Sequence, residues 1–323
     1  MTMLHRMIVA ASAVFAVSTL ANAQPFPAKP IHIVVPFVPG GGVDAFGRLL
    51  AGKLQERFKQ SVIIDNRGGA GGNVGANFVA KAPADGYTIL LHTNGQAISP
   101  ATYKSLPYDP VSDFVRIGQL TSTSTALVAN NDVPIKNFQE FVAYAKARPG
   151  KLNYGSSGVG NNLHLTMEMI KRAAGIDLQM VPFNGDAPLY TAVMAGEVPF
   201  ALGPTTFGRA HIESGAIRAL GVTTAKRVST LPNTPTIAEQ GLPGFSANGW
   251  LALFAPAATP RDIVDRIYRE AAAIVSDPEM QTALANLTLD AALAGPDEFD
   301  KIYRDDVARY KQVVKDANIP MQE

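Results

Sequence analysis

Three glycine-rich stretches hold the residues whose type and spacing suit chemistry. They are PGGGVDA at 39–45, NRGGAGGN at 66–73 and GSSGVGNN at 155–162. Each follows an apolar run and precedes residues at helical spacing. The first N–H groups of a helix have no partner within it, and the helix dipole adds partial positive charge there. Glycine lets a ligand approach that backbone with no Cβ in the way. Such turns suit a carboxylate or a phosphate. In open α/β sheets ligands sit beyond the carboxyl ends of strands, where these turns fall.

Other chemistries compete for the same residues. Gly40-x-Gly42-x-x-Ala45 matches the Gly/Ala form of a dinucleotide fingerprint, and Asp65 stands where a ribose-binding acid would be. Pro36 and Pro39, on either side of Phe37, interrupt the tight turn that fingerprint needs, and no hydride-transfer site accompanies it. The glycines at 68, 69, 71 and 72 read equally as close helix–sheet packing. A phosphate loop needs Gly-Lys-Ser/Thr, and none of the turns has the lysine. GSSGV at 155–159 misses the last glycine of a hydrolase elbow. His164 and Glu168 share a helix face at i,i+4, as a metal pair or as a plain packing pair, with no third ligand in sight. Trp250, the one tryptophan, reads as core or as a cleft wall.

Compartment and size narrow the choice. Residues 1–6 carry Arg6, residues 7–20 are apolar and uncharged, and Ala21-Asn22-Ala23 has the small-x-small pattern of a cleavage site. A secretory signal peptide over 1–23, cut after Ala23, is expected. An apolar run of about 14 residues falls short of the ~20 needed to span a bilayer. The 323-residue sequence has no cysteine, so disulfide, thiolate and lipidated-cysteine chemistry are excluded. Its formal charge of +1, spread without runs, gives no basic field for nucleic acid. Some 300 residues beyond the signal suggest two domains at ~150 residues each.

The elements that must position the turns read as a repeated strand–loop–helix pattern. Strands are expected over 31–36, 61–65 and 87–92, with helices over 43–58 and from 73 to 82. The pattern restarts with helices at 138–147, 163–174 and 187–195 and strands at 152–154, 178–183, 200–202 and 217–223. Helices at 260–276, 278–287 and 296–317 close the chain, parted by Pro278 and Gly295-Pro296. Alternation of this kind predicts open parallel α/β sheets, two doubly wound, Rossmann-like domains. Extended segments at 119–130 and 248–260 read as two crossings between them. The first domain is then discontinuous, 24–125 plus 246–323, and the second, 126–245, is inserted.

Several segments together carry a family resemblance: KPIHIVVPFVPGGGVD, IIDNRGGAGGNVGANFVAKAPADGYTIL, LPYDPVSDF, NYGSSGVGNNLHL and LPNTPTIAEQGLPGF. Their order closely resembles the Bug family, the solute-binding proteins of tripartite tricarboxylate transporters, over nearly all of the chain after the signal. The resemblance implies a type II periplasmic-binding-protein fold, with a ligand cleft between domains that close about the crossing strands. It implies a periplasmic receptor for a small carboxylate (a dicarboxylate, an amino acid or an aromatic acid) rather than an enzyme. Its partners would be one large and one small integral membrane subunit, with no cofactor, no metal and no nucleic acid. An exported enzyme, a nicotinamide-dependent oxidoreductase and a solute-sensing module for a membrane sensor are the alternatives.

The resemblance also implies a ligand set. Phe37, Pro39, Gly40, Gly41, Gly42 and Asp44 would hold one carboxylate through backbone N–H groups and ordered water. Thr93 and Asn94 would face the same cleft. Ser156, Ser157 and Gly158 would add donors from the second domain, with His164 orienting their loop. In VPFNGDAP (181–188), Phe183 and Asn184 stand where the family usually has tyrosine and lysine. Losing a phenol and a cation there points to a flatter or less charged solute, with Phe183 as an apolar wall. Gly185, Asp186 and Pro204 complete the set.

Overall fold

The structure is a computed structural model that describes residues 26–323; the expected signal peptide and its cleavage site lie outside the described residues. Among the described residues no helix is long and apolar enough to cross a membrane. Two sheets organise the chain. The first has the strand order β11-β4-β10-β3-β1-β2, with β1 at Ile31–Val35, β2 at Val62–Asn66, β3 at Thr88–Thr93, β4 at Phe114–Thr123, β10 at Gly249–Pro256 and β11 at Leu289–Ala294. The second has the order β7-β6-β8-β5-β9, with β5 at Thr125–Ala129, β6 at Asn153–Ser156, β7 at Gln179–Pro182, β8 at Phe200–Pro204 and β9 at Arg218–Val222.

Alternating side chains on the strands serve two apolar layers, as period-two geometry requires. Ile31, Ile33 and Val35 point into one layer with Leu251 and Leu253. Val34, Leu90, Trp250 and Phe254 point into the opposite one. Helix α1 (Gly42–Phe58) covers the first face with Phe46, Leu50 and Leu54, beside α8 (Arg261–Val275) and α9 (Pro278–Asn286). The second face carries α2 (Asn73–Ala80), α3 (Gly95–Thr102) and α10 (Pro296–Asp316). In the other sheet Leu127 and Ala129 face α4 (Phe138–Lys146) and α5 (Asn162–Ala174), whereas Ala126 and Val128 face α6 (Asp186–Ala195) and α7 (Thr205–Glu213). Both lobes are thus doubly wound, with strands buried on both faces.

The sheets are mixed where the apolar pattern suggests purely parallel ones. β2, β1 and β3 are parallel to one another, but β10 runs antiparallel to β3 and β4, and β11 antiparallel to β4. In the second lobe β7, β6 and β8 are parallel while β5 opposes β8 and β9. These reversals aim the glycine turns. β4 runs with β3, because both oppose β10, so it ends on the edge where β1, β2 and β3 end. Only Ser124 separates it from β5, which begins opposite the end of β8, with Thr125 against Pro204. The carboxyl ends of both parallel strand sets therefore meet at the same junction. Threonines stitch it: the hydroxyls of Ser124 and Thr205 lie 2.6 Å apart, and those of Thr125 and Thr223 also 2.6 Å. The 249–256 strand belongs wholly to the first sheet, so the return passage lies just before it, where the Ala247 N–H donates to the Thr223 carbonyl.

Trp250 belongs to the core, not to a cleft wall. It is 3% exposed, stands edge-on to Phe299 at 5.1 Å and donates its indole N–H to Asp306 Oδ2 at 2.9 Å. Burial pushes the Asp306 carboxyl above its ordinary range, and Arg309 and the indole donor act against that. Trp250→Phe keeps most of the packing and strands one oxygen of a buried acid. The expected cost is about 1–3 kcal/mol, the penalty for an unsatisfied buried group. Urea unfolding followed by circular dichroism measures it, and an unmoved midpoint would show that Asp306 needs no indole donor.

Candidate functional site

The loop after β1 is built so that its backbone faces outward. Val38 to Gly42 are exposed. Gly41 caps α1 in an extended conformation, and no side chain fills the cap. Gly40 has φ +87°, a conformation that side-chain-bearing residues rarely adopt, and nothing lies within 4 Å of where a Cβ would sit on Gly40 or Gly42. The start of α1 thus presents an open edge of main chain to any anion that approaches it.

Asp44 is turned inward and holds this loop in place. Its carboxylate accepts the Gly40 N–H at 2.9 Å, the Arg48 Nε–H at 3.0 Å and the Asn66 amide at 2.9 Å. The same Asn66 amide donates to the Phe37 carbonyl, which ties the loop to the end of β2. The bond from Arg48, helped by those from Gly40 and Asn66, lowers the Asp44 pKa to about 2. Asp44 therefore positions the loop, with its oxygens already engaged.

Behind the turns stands a residue that the sequence did not single out for the site. His92, fully buried on β3, holds Nδ1 2.8 Å from the Thr93 N–H nitrogen and 3.1 Å from the Thr93 carbonyl oxygen. Nε2 has no partner and abuts Gly72, where an added Cβ would lie 2.5 Å from it. Burial lowers the His92 pKa to about 3, so the ring is neutral. Phe37 stands edge-on to the imidazole at 5.5 Å. The close packing continues onto α2, where a Cβ on Gly75 would meet Pro36 at 2.7 Å.

Thr93 ends β3, and Asn94 caps α3 immediately after it. The Thr93 hydroxyl accepts the Gly95 N–H at 3.1 Å. The Asn94 amide reaches across to the other lobe, donating to Asn162 Oδ1 at 2.8 Å, and within its own lobe donates to the Tyr310 hydroxyl at 3.0 Å. A cavity of about 310 Å³ opens beside it between the lobes, lined by Gly71, Thr93, Asn94 and Gly95 on one side and by 159–162 on the other. Of the expected ligand set only Thr93 and Asn94 line it. Gly71, Gly95, Asn161 and Asn162 were not expected there. Roomier grooves lie at Arg116 and Asp300 and between Arg172 and Asp316, but neither is lined by the turns.

The second lobe contributes the loops after β6 and β7 and the end of β8. Ser156 is buried, its hydroxyl donating to the Gly158 carbonyl at 3.3 Å. Gly158 has φ +153°. Asn161 caps α5 by accepting the His164 N–H, and the His164 Nδ1 accepts the Gly160 N–H at 2.9 Å. Burial holds the His164 pKa below its ordinary value. His164 thus fixes the loop from behind. Its Nε2 lies 3.9 Å from Glu168, which the Tyr154 hydroxyl and Lys171 already engage. No group of three metal-ligating side chains forms among the described residues. After β7, the Phe183 N–H donates to the Ser156 carbonyl at 2.8 Å, so these two loops touch. The Phe183 ring leans on the core, while Asn184 is exposed. Gly185, at φ +106°, leads into Asp186 at the start of α6. The Pro204 carbonyl accepts the Tyr190 hydroxyl at 2.8 Å and joins the end of β8 to α6.

Comparison with known proteins agrees with this architecture. Residues 46–319 match the family model described as the tripartite tricarboxylate transporter family receptor. A protein encoded between tcbD and tcbE in Pseudomonas sp. strain P51 is 36% identical over 290 residues, 90% of this chain and 86% of its own. Among solved structures, R. palustris Rpa4515 with adipate is 34% identical, with a TM-score of 0.76 over 92% of this chain and all of that one. The periplasmic binding protein BugD is 32% identical, with a TM-score of 0.72 over 92% of this chain and all of that one.

The Asp44 anchor has a pH signature. Its pKa is depressed in the folded chain, from 3.8 to about 2. Its contribution to stability is therefore complete above about pH 4 and lost as the pH falls toward 2. Asp44→Asn should cost about 1–2 kcal/mol near neutral pH, a charged hydrogen bond discounted for the exposure of Arg48. The gap between variant and parent in urea midpoint should close on acidification; a gap independent of pH would assign no role to the charge.

Proposed function

The chain belongs to the tripartite tricarboxylate transporter receptor family, and we propose that it traps a small carboxylate between its two lobes at the glycine turns. It is a solute-binding receptor, not an enzyme. The observation that carries the reading is directional. Both sets of parallel strands end toward the Ser124 junction, so the open main chain at the start of α1, the loops after β6 and β7 and the end of β8 all lie on the sheet edges that face that junction. An anion accepted by N–H groups of one lobe and hydroxyls of the other favours a closed arrangement, because only that arrangement offers both sets of contacts. The adipate held by the R. palustris relative supports a carboxylate as the ligand class.

In this reading Phe37, Pro39, Gly40, Gly41 and Gly42 supply the first-lobe surface, with Thr93 and Asn94 beside it. Ser156, Ser157, Gly158, Phe183, Asn184, Gly185, Asp186 and Pro204 supply the second. Asp44 and His164 act from behind by holding their loops. The chain is exported to the periplasm, its signal cut after Ala23, and hands its solute to one large and one small membrane subunit.

A thermal-shift screen against aliphatic, amino-acid and aromatic carboxylates tests the ligand class. A solute at about 100 times its dissociation constant adds about 2.7 kcal/mol of stability, and a panel in which nothing raises the melting temperature would refute the reading. Gly41→Asp sharpens the test. Its Cβ has room, since the nearest heavy atom is the Val38 carbonyl oxygen at 3.8 Å, and aspartate is a favoured helix cap. The variant should melt at or above the parent temperature and lose at least about tenfold in carboxylate affinity, the effect of a fixed negative charge at the anion's position. Calorimetry with unchanged affinity would remove this turn from the site.

A further inference from the structure

The cavity between the lobes has a direction. Gly95, Ile98, Ser99 and Thr102 line it at i, i+3, i+4 and i+7, so it runs along one face of α3. Thr93 and Asn94 stand at the start of that helix, and Thr102 at its end, about 10 Å further on. The Ser99 and Thr102 hydroxyls bond back to the Gly95 and Ile98 carbonyls, at 2.9 and 3.4 Å. The face therefore offers Ile98 and little free polarity, and Val159 lines the cavity from the second lobe. This is a trough for the body of a solute, not a second head site. Its volume of about 310 Å³ is near the lower bound of ligand pockets, so whatever closes its far end restricts what fits.

Residues that follow α10 close that end. Ile319 is buried in the same apolar layer as Ile98, and the chain beyond it lies against the end of α3. The Gln322 N–H donates to the Thr102 carbonyl at 2.7 Å, and the Lys104 N–H donates to the Gln322 carbonyl at 2.9 Å. Lys104 also pairs with Glu323. The main chain of Gln322 is thus held on both sides, while its side chain is exposed and lines the cavity. Gly160 of the second lobe, at φ +72°, is its neighbour there. A Cβ on Gly160 would lie 3.7 Å from Gln322 Nε2 and 3.5 Å from Thr102 Cγ2. The two lobes therefore approach each other closely at this end of the trough.

Resting on the carboxylate-receptor reading above, we propose that residues 320–323 form a strap across the far end of the solute's pocket, and that Gln322 sets the length of solute the cleft accepts. The carboxylate is held near the start of α3, since β1 and β3 are neighbours and their turns adjoin. The rest of the solute lies along Gly95, Ile98 and Thr102 and is stopped by Gln322 and Gly160. A longer solute has to displace the strap or hold the lobes apart, and either weakens its hold on the closed arrangement.

Calorimetry with homologous series tests this: α,ω-dicarboxylates from succinate to sebacate, monocarboxylates from butyrate to decanoate, 2-amino dicarboxylates from aspartate to 2-aminosuberate, and ω-phenyl acids from benzoate to phenylhexanoate. In a series that the parent chain binds, affinity should fall about tenfold or more at one added methylene, the scale on which a pocket wall senses one. Gln322→Ala, and a chain ending at Ile319, should move that cut-off to longer members. Gln322→Trp should move it to shorter ones and leave the shortest bound member unaffected. The two point variants should melt with the parent in the absence of solute, because the side chain is exposed. They carry the test if the shortened chain melts earlier. A cut-off at the same length in every variant, or a parent with no cut-off in any series it binds, overturns the strap and leaves the receptor reading standing. A chain that binds no member of the four series overturns both.

Discussion

Recognition by main-chain N–H groups requires that helix starts be left open and be aimed. Both conditions trace to how the two sheets join. A single residue, Ser124, separates β4 from β5, and the antiparallel pairings on either side fix which way each sheet points. Had β10 run parallel to β3, the carboxyl ends of β1 to β3 would lie at the far edge from the junction. The glycine turns would then face solvent on opposite sides of the molecule. The threonine hydroxyls that stitch the junction are buried, so the direction of approach is set before any ligand arrives.

The charges near the turns are mostly consumed in holding shape. Arg48 is bound to Asp44 and Arg67 to Asp65. This arrangement leaves oriented peptide dipoles as the attractive feature of the first lobe. Dipoles that are fixed in place need no reorganisation to bind. They also favour the near end of a ligand over its net charge, which lets the opposite lobe impose its own requirement.

Much of this was legible from residue order. The glycine turns, the strands that precede them and the helices that follow appear as apolar period and turn chemistry, and the resemblance to the receptor family rested on those turns together with LPYDPVSDF and LPNTPTIAEQGLPGF. Strand direction was not legible, because a strand buried on both faces looks the same whether it runs parallel or antiparallel. β11 was hidden by composition: LDAALA suits a helix, and only the pairing of Leu289 to Ala291 with β4 makes it a strand. α3 was missed because Ser99-Pro100 reads as a break, and α7 because it starts directly after β8 with no turn between. At the site, the contacts that were not foreseen join residues distant in sequence, such as Asn94 with Asn162. His92 gave no signal, since a lone histidine in a strand is indistinguishable from any other core residue until Gly72 is seen beside it.

The lobes also meet away from the turns. Leu165, on α5 of the second lobe, is buried among first-lobe side chains, and Arg172 on the same helix pairs with Asp316 on α10. α10 therefore acts as a bracket on one side of the junction. Any swing of the lobes must slide or break this seam, so the seam's strength enters the resting balance of shapes. Residues that never approach a solute can in this way govern how tightly it is held, and two receptors with identical turns but different seams would differ in grip.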